Sequence, residues 1–154
     1  YEVSRVQFNR FSPQSAVANQ PQDHPVTGIT THMISQYCRR YRLRLLSVEE
    51  WMTVFGKHDY PWGNEAPNDG GKYRANYETT RDGWSETAPV KSFSEYSSPF
   101  GLVNLAGNVW ELISDGTVRG GGYFSFPENL KRDSFEQSGK IDVNLIGFRC
   151  VKEP

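Results

Sequence analysis

The sequence predicts an α+β domain, with helices in its first third and short strands between long loops after residue 56. Three observations predict it. Apolar residues recur at helical spacing in three early segments. From Gly56 onward, glycine, proline and asparagine interrupt the pattern every few residues, and the apolar runs are brief. Aromatic residues make up 14% of the chain, with 4 Trp, 8 Tyr and 9 Phe. Disordered chains are poor in such rings, so this composition points to a compact fold whose loops are pinned by aromatic packing.

The first helical segment, "EVSRVQFNRF", puts Val3, Val6 and Phe11 on one face, with Ser4 as a cap. The second, "TGITTHMISQYCRRY", places Ile34, Tyr37, Cys38 and Tyr41 at helical spacing. The third, "SVEEWMTVF", opens with a capping box from Ser47 to Glu50 and buries Val48, Trp51 and Phe55. Beyond these, "APVKSF", "FGLVNL", "VRGGGYF" and "IGFRCV" read as brief strands. No internal repeat or low-complexity linker divides the chain.

The 154 residues amount to one domain, spanning 1–154. A net charge of -1, from 17 basic and 18 acidic side chains, argues against nucleic acid or an anionic membrane as partner. No apolar run approaches the ~20 residues of a bilayer span, so no membrane insertion is expected. The chain opens in mid-pattern at "YEVSRVQF", as a mature product or one piece of a larger protein would. The basic cluster "RRYRLR", residues 39–44, reads as arginines favoured at a helix C-terminus rather than as a phosphate site. His24, His32 and His58 have no metal-ligand spacing and read as surface or hydrogen-bonded residues. The motifs of a nucleophile elbow, a phosphate-binding loop and a C-x-x-C pair are all missing. Cys38 and Cys150 read either as two separate buried thiols or as one disulfide closing most of the chain, which would favour an extracellular, periplasmic or secretory setting.

The stretch "GLVNLAGNVWELISDG", residues 101–116, is too rich in turn formers for a helix and too apolar for a solvated loop. Calcium takes six to eight oxygen ligands, and backbone carbonyls serve as well as carboxylates. An irregular loop frees such carbonyls. Asn104, Gly107, Val109 and Glu111 can place a side-chain oxygen, two carbonyls and a carboxylate around one point. "ANYETTRDGWSE" offers a second set in Asn76, the Tyr77 carbonyl, Asp82 and the Trp84 carbonyl, spread over nine residues. Either stretch also reads as an ordinary Asx-turn loop.

The ordered series "PVTGIT", "YC", "RLLSVEEW", "YPWGNEAPN", "ANY", "TAPVKSF", "FGLVNLAGNVWEL", "VRGGGYF" and "GFRCV" resembles the formylglycine-generating enzyme, or sulfatase-modifying factor, family. The resemblance implies a C-type lectin-like fold with two to three helices, small antiparallel sheets and long loops. It also implies that the family's N-terminal strands are missing ahead of Tyr1. It places the family's two calcium sites on Asn76, Tyr77, Asp82 and Trp84 and on Asn104, Gly107, Val109 and Glu111, so one or two calcium ions are expected. It further implies a disulfide between Cys38 and Cys150, and puts Trp110 in the enzyme's cleft.

The catalytic pair departs from the family pattern. The enzyme's stretch resembles "RGGSFxCxxxxC", whereas this chain reads "RGGGYFSFPENL". Ser125 and Leu130 stand where the copper-binding cysteines would be, and Gly122 replaces a serine. A hydroxyl is no substitute for a soft thiolate toward Cu(I), so no copper and no catalytic residue of the family type are expected. The expectation is a non-catalytic module that binds a peptide or protein, or another domain of the same parent. Its face would be built by "RGGGYFSFPENLKRDSF" and "HDYPWGNEAPNDGG", with Trp110, Tyr123, Phe124, Ser125, Phe126 and Arg132 in contact. Tyr123 reads equally as a core residue, whereas Phe126, followed by proline, reads as a loop residue. The alternative is an enzyme of altered chemistry, a non-copper oxidase or a hydrolase with Ser125 in the cleft, for which Glu128, Asp133 or a folded-back histidine would have to serve as base.

Overall fold

A computed structural model describes residues 1–13, 20–78 and 80–152. Helix α1 (Arg5–Phe11) starts where Ser4 and Gln7 form a capping box, the Ser4 N–H donating to Gln7 Oε1 at 2.9 Å. Its buried face is rotated from the expected one. Phe8 is fully buried between Tyr37 and Phe148, Phe11 is half-buried and Val6 is exposed. Burying a phenylalanine side chain stabilises by roughly 1.5–3 kcal/mol, so Phe8 fixes the helix orientation and Val6 does not.

Helix α2 (Thr31–Tyr41) is capped by Thr30, and Ile34, Tyr37 and Cys38 face the core as expected, while Tyr41 is exposed. Arg39 and Arg40 occupy its last turn and Arg42 its left-handed C-cap, the dipole-favoured placement. Strand β1 (Leu43–Leu45) leads into α3 (Val48–Phe55), where the predicted Ser47–Glu50 capping box forms. Glu50 also receives Arg44 in a two-pronged pair at 2.6 and 2.7 Å, and Trp51 and Phe55 are fully buried.

The second half holds β2 (Trp110–Leu112), β3 (Thr117–Arg119), β4 (Phe135–Gln137), β5 (Ile146–Phe148) and β6 (Cys150–Lys152). The order β4-β3-β2-β5 makes one sheet, in which β2 and β3 form an antiparallel hairpin and β2 runs parallel to β5. Strands β1 and β6 pair antiparallel and join the two halves of the chain. Two expected strands are not formed: residues 88–93 and 100–105 are extended and turning loop. Gly101 lies at φ 75°, Phe93 at φ 58° and Asn104 at φ 55°, left-handed conformations that interrupt a ladder.

Three core clusters follow from this layout. One joins α1 and α2 to the sheet through Phe8, Tyr37, Trp110 and Phe148. A second surrounds Trp51 and Phe55 of α3. The third, with Tyr60, Ala75, Tyr77, Ala106 and Leu130, lies under the long loops and replaces regular secondary structure there. The fold is the α+β class that the sequence predicts. No helix among the described residues is long and apolar enough to cross a membrane.

The two cysteines meet, Cys38 on α2 and Cys150 on β6, with their sulfurs 3.1 Å apart. Both are free thiols, and a disulfide requires about 2.05 Å. The expected bond is therefore replaced by a thiol hydrogen bond. That contact holds the Cys38 thiol below the ordinary range and, with burial, pushes Cys150 well above it.

Candidate recognition face and cation loops

The glycine-rich stretch leaves β3 and folds back on itself. The Ser125 N–H donates to Gly122 O, and the Gly122 N–H donates to Ser125 Oγ, both at 2.8 Å. A side chain at Gly121, which lies at φ 71°, would meet Leu130 Cδ1 at 2.9 Å and Ser125 Cβ at 3.2 Å. Ser125 and Leu130 are thus neighbours across Gly121, and both are buried. Leu130 is completely enclosed by the aromatic cluster of Tyr60 and Tyr77. Trp110, expected to touch a ligand, is only 4% exposed and belongs to the central core. Its ring lies beneath Gly122, where an added Cβ would stand 3.3 Å from Trp110 Cδ1, so it supports the stretch rather than lining an open cleft.

The outward residues are Phe124 and Phe126, 67% and 61% exposed. Tyr123 is half-buried with its ring centre 4.6 Å from that of Phe124. Arg132 reaches Gly56 O at 2.7 Å and Asp133 at 3.0 Å, so its charge is already partnered. The second loop of the expected face touches the first. The Arg132 N–H donates to Asp59 O, and Lys131 pairs with Asp59 at 3.2 Å. Next to Arg132, a groove of about 520 Å³ is walled by Met52, Lys57, His58, Pro99 and Phe100. Among the described residues, no histidine or carboxylate hydrogen-bonds to Ser125. His24 is buried and bonded to Thr87 Oγ at 2.9 Å instead.

The two candidate calcium loops differ sharply. In 104–111, both Glu111 oxygens lie 2.5 Å from the Arg149 guanidinium, and Arg149 Nη2 also donates to Val103 O at 3.0 Å and to Asn104 O at 3.4 Å. The Asn104 amide donates to Val90 O at 3.3 Å and to Glu2 at 3.5 Å. The whole group is buried. As placed, the carboxylate is spent on a side-chain cation, and this set does not fit a divalent ion. Gly107 and Val109 serve the backbone here. A side chain at Gly107 (φ 81°) would strike Asn76 O at 2.5 Å, and Val109 is core.

In 76–84, Asp82 accepts the backbone N–H groups of Tyr77 at 3.1 Å and Trp84 at 2.9 Å. Burial raises the Asp82 carboxyl above its ordinary value despite those two donors. Among the described residues it has no basic partner. The Asn76 amide nitrogen donates to Glu86 O and Asn108, but its oxygen is buried and has no partner among the described residues. A buried orphan oxygen costs about 1–3 kcal/mol, and a cation would satisfy it. This set fits calcium: an amide oxygen, a carboxylate and two candidate carbonyls. Among the described residues no cluster of three or more His, Cys, Asp or Glu could hold a metal, so any site here leans on neutral oxygens.

Three residues of these networks are not among the site residues expected from the sequence: Glu2, Asn108 and Arg149. Asn108 is fully buried and joins Glu2, Asn76 and Ala88 through its side chain. Arg149 does leave one signal, since an arginine inside the apolar run "IGFRCV" must find a buried counter-charge.

Residues 1–154 match the sulfatase-modifying factor enzyme 1-like domain. The chain is 36% identical over 116 residues to a formylglycine-generating enzyme of Thermomonospora curvata, covering 67% of this chain and 37% of that protein. It is 34% identical over 179 residues to the enzyme of Streptomyces coelicolor, covering 91% and 56%. The chain therefore spans between about a third and just over half the length of these relatives. The structure of PvdO from Pseudomonas aeruginosa superposes with a TM-score of 0.80 at 18% identity, covering 97% of this chain and 77% of that one.

Proposed function

The chain belongs to the sulfatase-modifying factor enzyme 1-like family, and from that premise we propose that it is a non-catalytic domain that recognises a peptide or protein and is stabilised by calcium. One observation carries the reading. Leu130, at the position of the second catalytic cysteine, is a fully enclosed core residue. It offers no lone pair for copper and no thiol for a mixed disulfide. Ser125, at the first position, is buried and its oxygen accepts the Gly122 N–H, which leaves it neither a soft ligand nor an activated nucleophile.

The outward phenylalanines Phe124 and Phe126 provide contact area on a rigid, backbone-pinned turn. The partner is a peptide, a separate protein or another domain of the same parent chain. Calcium is held at Asn76, Tyr77, Asp82 and Trp84, where it supplies the counter-charge for Asp82 and a partner for the Asn76 oxygen.

The test is a pair of assays on the intact chain. With Cu(I), oxygen and a sulfatase-type cysteine peptide, no oxidation product should appear by mass spectrometry, and turnover would overturn the proposal. Peptides selected on the wild type from a display library should lose binding to the double variant Phe124→Ser, Phe126→Ser, with its circular dichroism unchanged. Selected peptides that bind both proteins equally would remove the recognition face.

A further inference from the structure

A polar cavity of about 350 Å³ lies beside α1 and contains neither Ser125 nor Leu130. Its walls include Arg5, Thr27, Glu86, Thr87, Tyr123 and Asn144. Arg5 is only 7% exposed. Its Nη1 donates to Pro21 O at 3.2 Å, and its buried Nε has no partner among the described residues. Among the described residues no carboxylate lies within ion-pair distance of it. Glu86 and Asp23 are its strongest attractive charges, but neither pairs with it. A buried guanidinium without an anion is costly, and here it opens onto a cavity. Thr87 is held in place by His24 at 2.9 Å, so its hydroxyl is positioned rather than free to rotate away. Glu86 is exposed, on the opposite charge sign from Arg5.

We propose that this cavity binds an α-carboxylate flanked by an N–H group, as carried by a free amino acid or by the C-terminal residue of a peptide. The carboxylate seats on Arg5 and the N–H side turns to Glu86. The charge balance selects this class. One arginine and one glutamate line the same space, and Glu86 is the strongest attractive charge on Arg5, so a zwitterion or a peptide end is matched, whereas a phosphate dianion is repelled by Glu86. The volume suits a group of amino-acid size. The site goes beyond the aromatic recognition face and does not depend on it.

The experiment follows the arginine Nε–H resonances of the isotopically labelled full chain during titration. The probes are L-alanine, trialanine with a free C-terminus, the same peptide amidated, and inorganic phosphate. The Arg5 Nε–H signal should shift saturably with a free-carboxylate probe, and the amidated peptide should bind at least about tenfold more weakly, a difference of ~1.4 kcal/mol. Preference between alanine and trialanine identifies the source of the carboxylate. Arg5→Gln should abolish binding of the free-carboxylate probe, read at the backbone amide resonances of Thr87 and Tyr123, which line the same cavity and remain in the variant. Should that variant not fold, the exposed Glu86→Gln decides, and should weaken alanine or trialanine binding several-fold. No saturable shift with either free acid, equal binding of the amidated peptide, a response to phosphate alone, or indifference to Glu86→Gln would each overturn the proposal.

Discussion

The loops 104–111 and 76–84 carry nearly the same oxygen-bearing residues, yet one is closed and the other is incomplete. In the first, Arg149 takes both oxygens of Glu111 and reaches the Asn104 carbonyl. In the second, among the described residues, Asp82 has only backbone donors and the Asn76 oxygen has no partner. The difference lies in a third party distant in the chain. Ligand types at a suitable spacing make a cation loop only where no side-chain cation arrives first.

The comparison can be broken most forcefully at Arg149. Arg149→Met leaves Glu111 buried and unpaired, and should cost about 3–5 kcal/mol in urea unfolding. Calcium should recover part of the loss, because the variant frees the Glu111 carboxylate; no recovery would mean that something other than Arg149 closes the 104–111 loop, and the contrast collapses.

Next comes the pH dependence of the closed loop. Burial pushes the Glu2 carboxyl from an ordinary 4.5 to about 7, with Glu111 adding to the rise and Arg149 opposing it. A carboxyl raised on folding is at no disadvantage below about 4.5, where it is protonated in both states. Its charge penalty then grows as pH rises, and is complete above about 7. Stability should fall across that window, and Glu2→Gln should flatten the fall when the two urea midpoints are compared at each pH.

Chelation sharpens the other half. EDTA should lower the wild-type melting temperature, by the equivalent of ~2.7 kcal/mol if calcium was present at about 100 times its dissociation constant. Asp82→Asn should lose that response and Glu111→Gln should keep it. A response lost in Glu111→Gln but kept in Asp82→Asn would exchange the roles of the two loops.

The smallest effect is expected at Asn76. Asn76→Ala removes an orphan oxygen together with the amide bonds to Glu86 O and Asn108. In EDTA these changes should offset to within about 1 kcal/mol, and a larger loss would mean that the oxygen has a partner.

The helices are legible in the sequence because their signals are local. Ser4 and Ser47 each cap a turn within three residues, and Trp51 and Phe55 are one turn apart. The buried face of α1 is not legible in the same way, because what selects Phe8 over Val6 is the distant pair Tyr37 and Phe148. Strands of three residues, such as β1 and β4, are too short for alternation to show. At the face, the order of motifs places Ser125 and Leu130, which do sit side by side, but exposure cannot be read from it. Trp110 and Phe126 look alike in sequence, and one is core while the other is solvent-facing. The burial of Arg5 is not legible because its surroundings come from several separated segments, among them Pro21, Glu86 and Tyr123, and the partner of Arg149 is not legible because Glu111 lies 38 residues away.

Asn108 carries a kinetic consequence. It sits at φ 67° with its amide bonded to Glu2, Asn76 and Ala88, while its backbone joins Asn76 and Tyr123. Most of these partners are remote in the chain, so the cost of closing several long loops falls before the bonds can form. The loop-rich half should therefore organise late, after α1–α3 have collapsed, and refold slowly for a domain of this size. The Asn108 amide proton, buried and bonded to Asn76, should then exchange with solvent only when the whole domain opens.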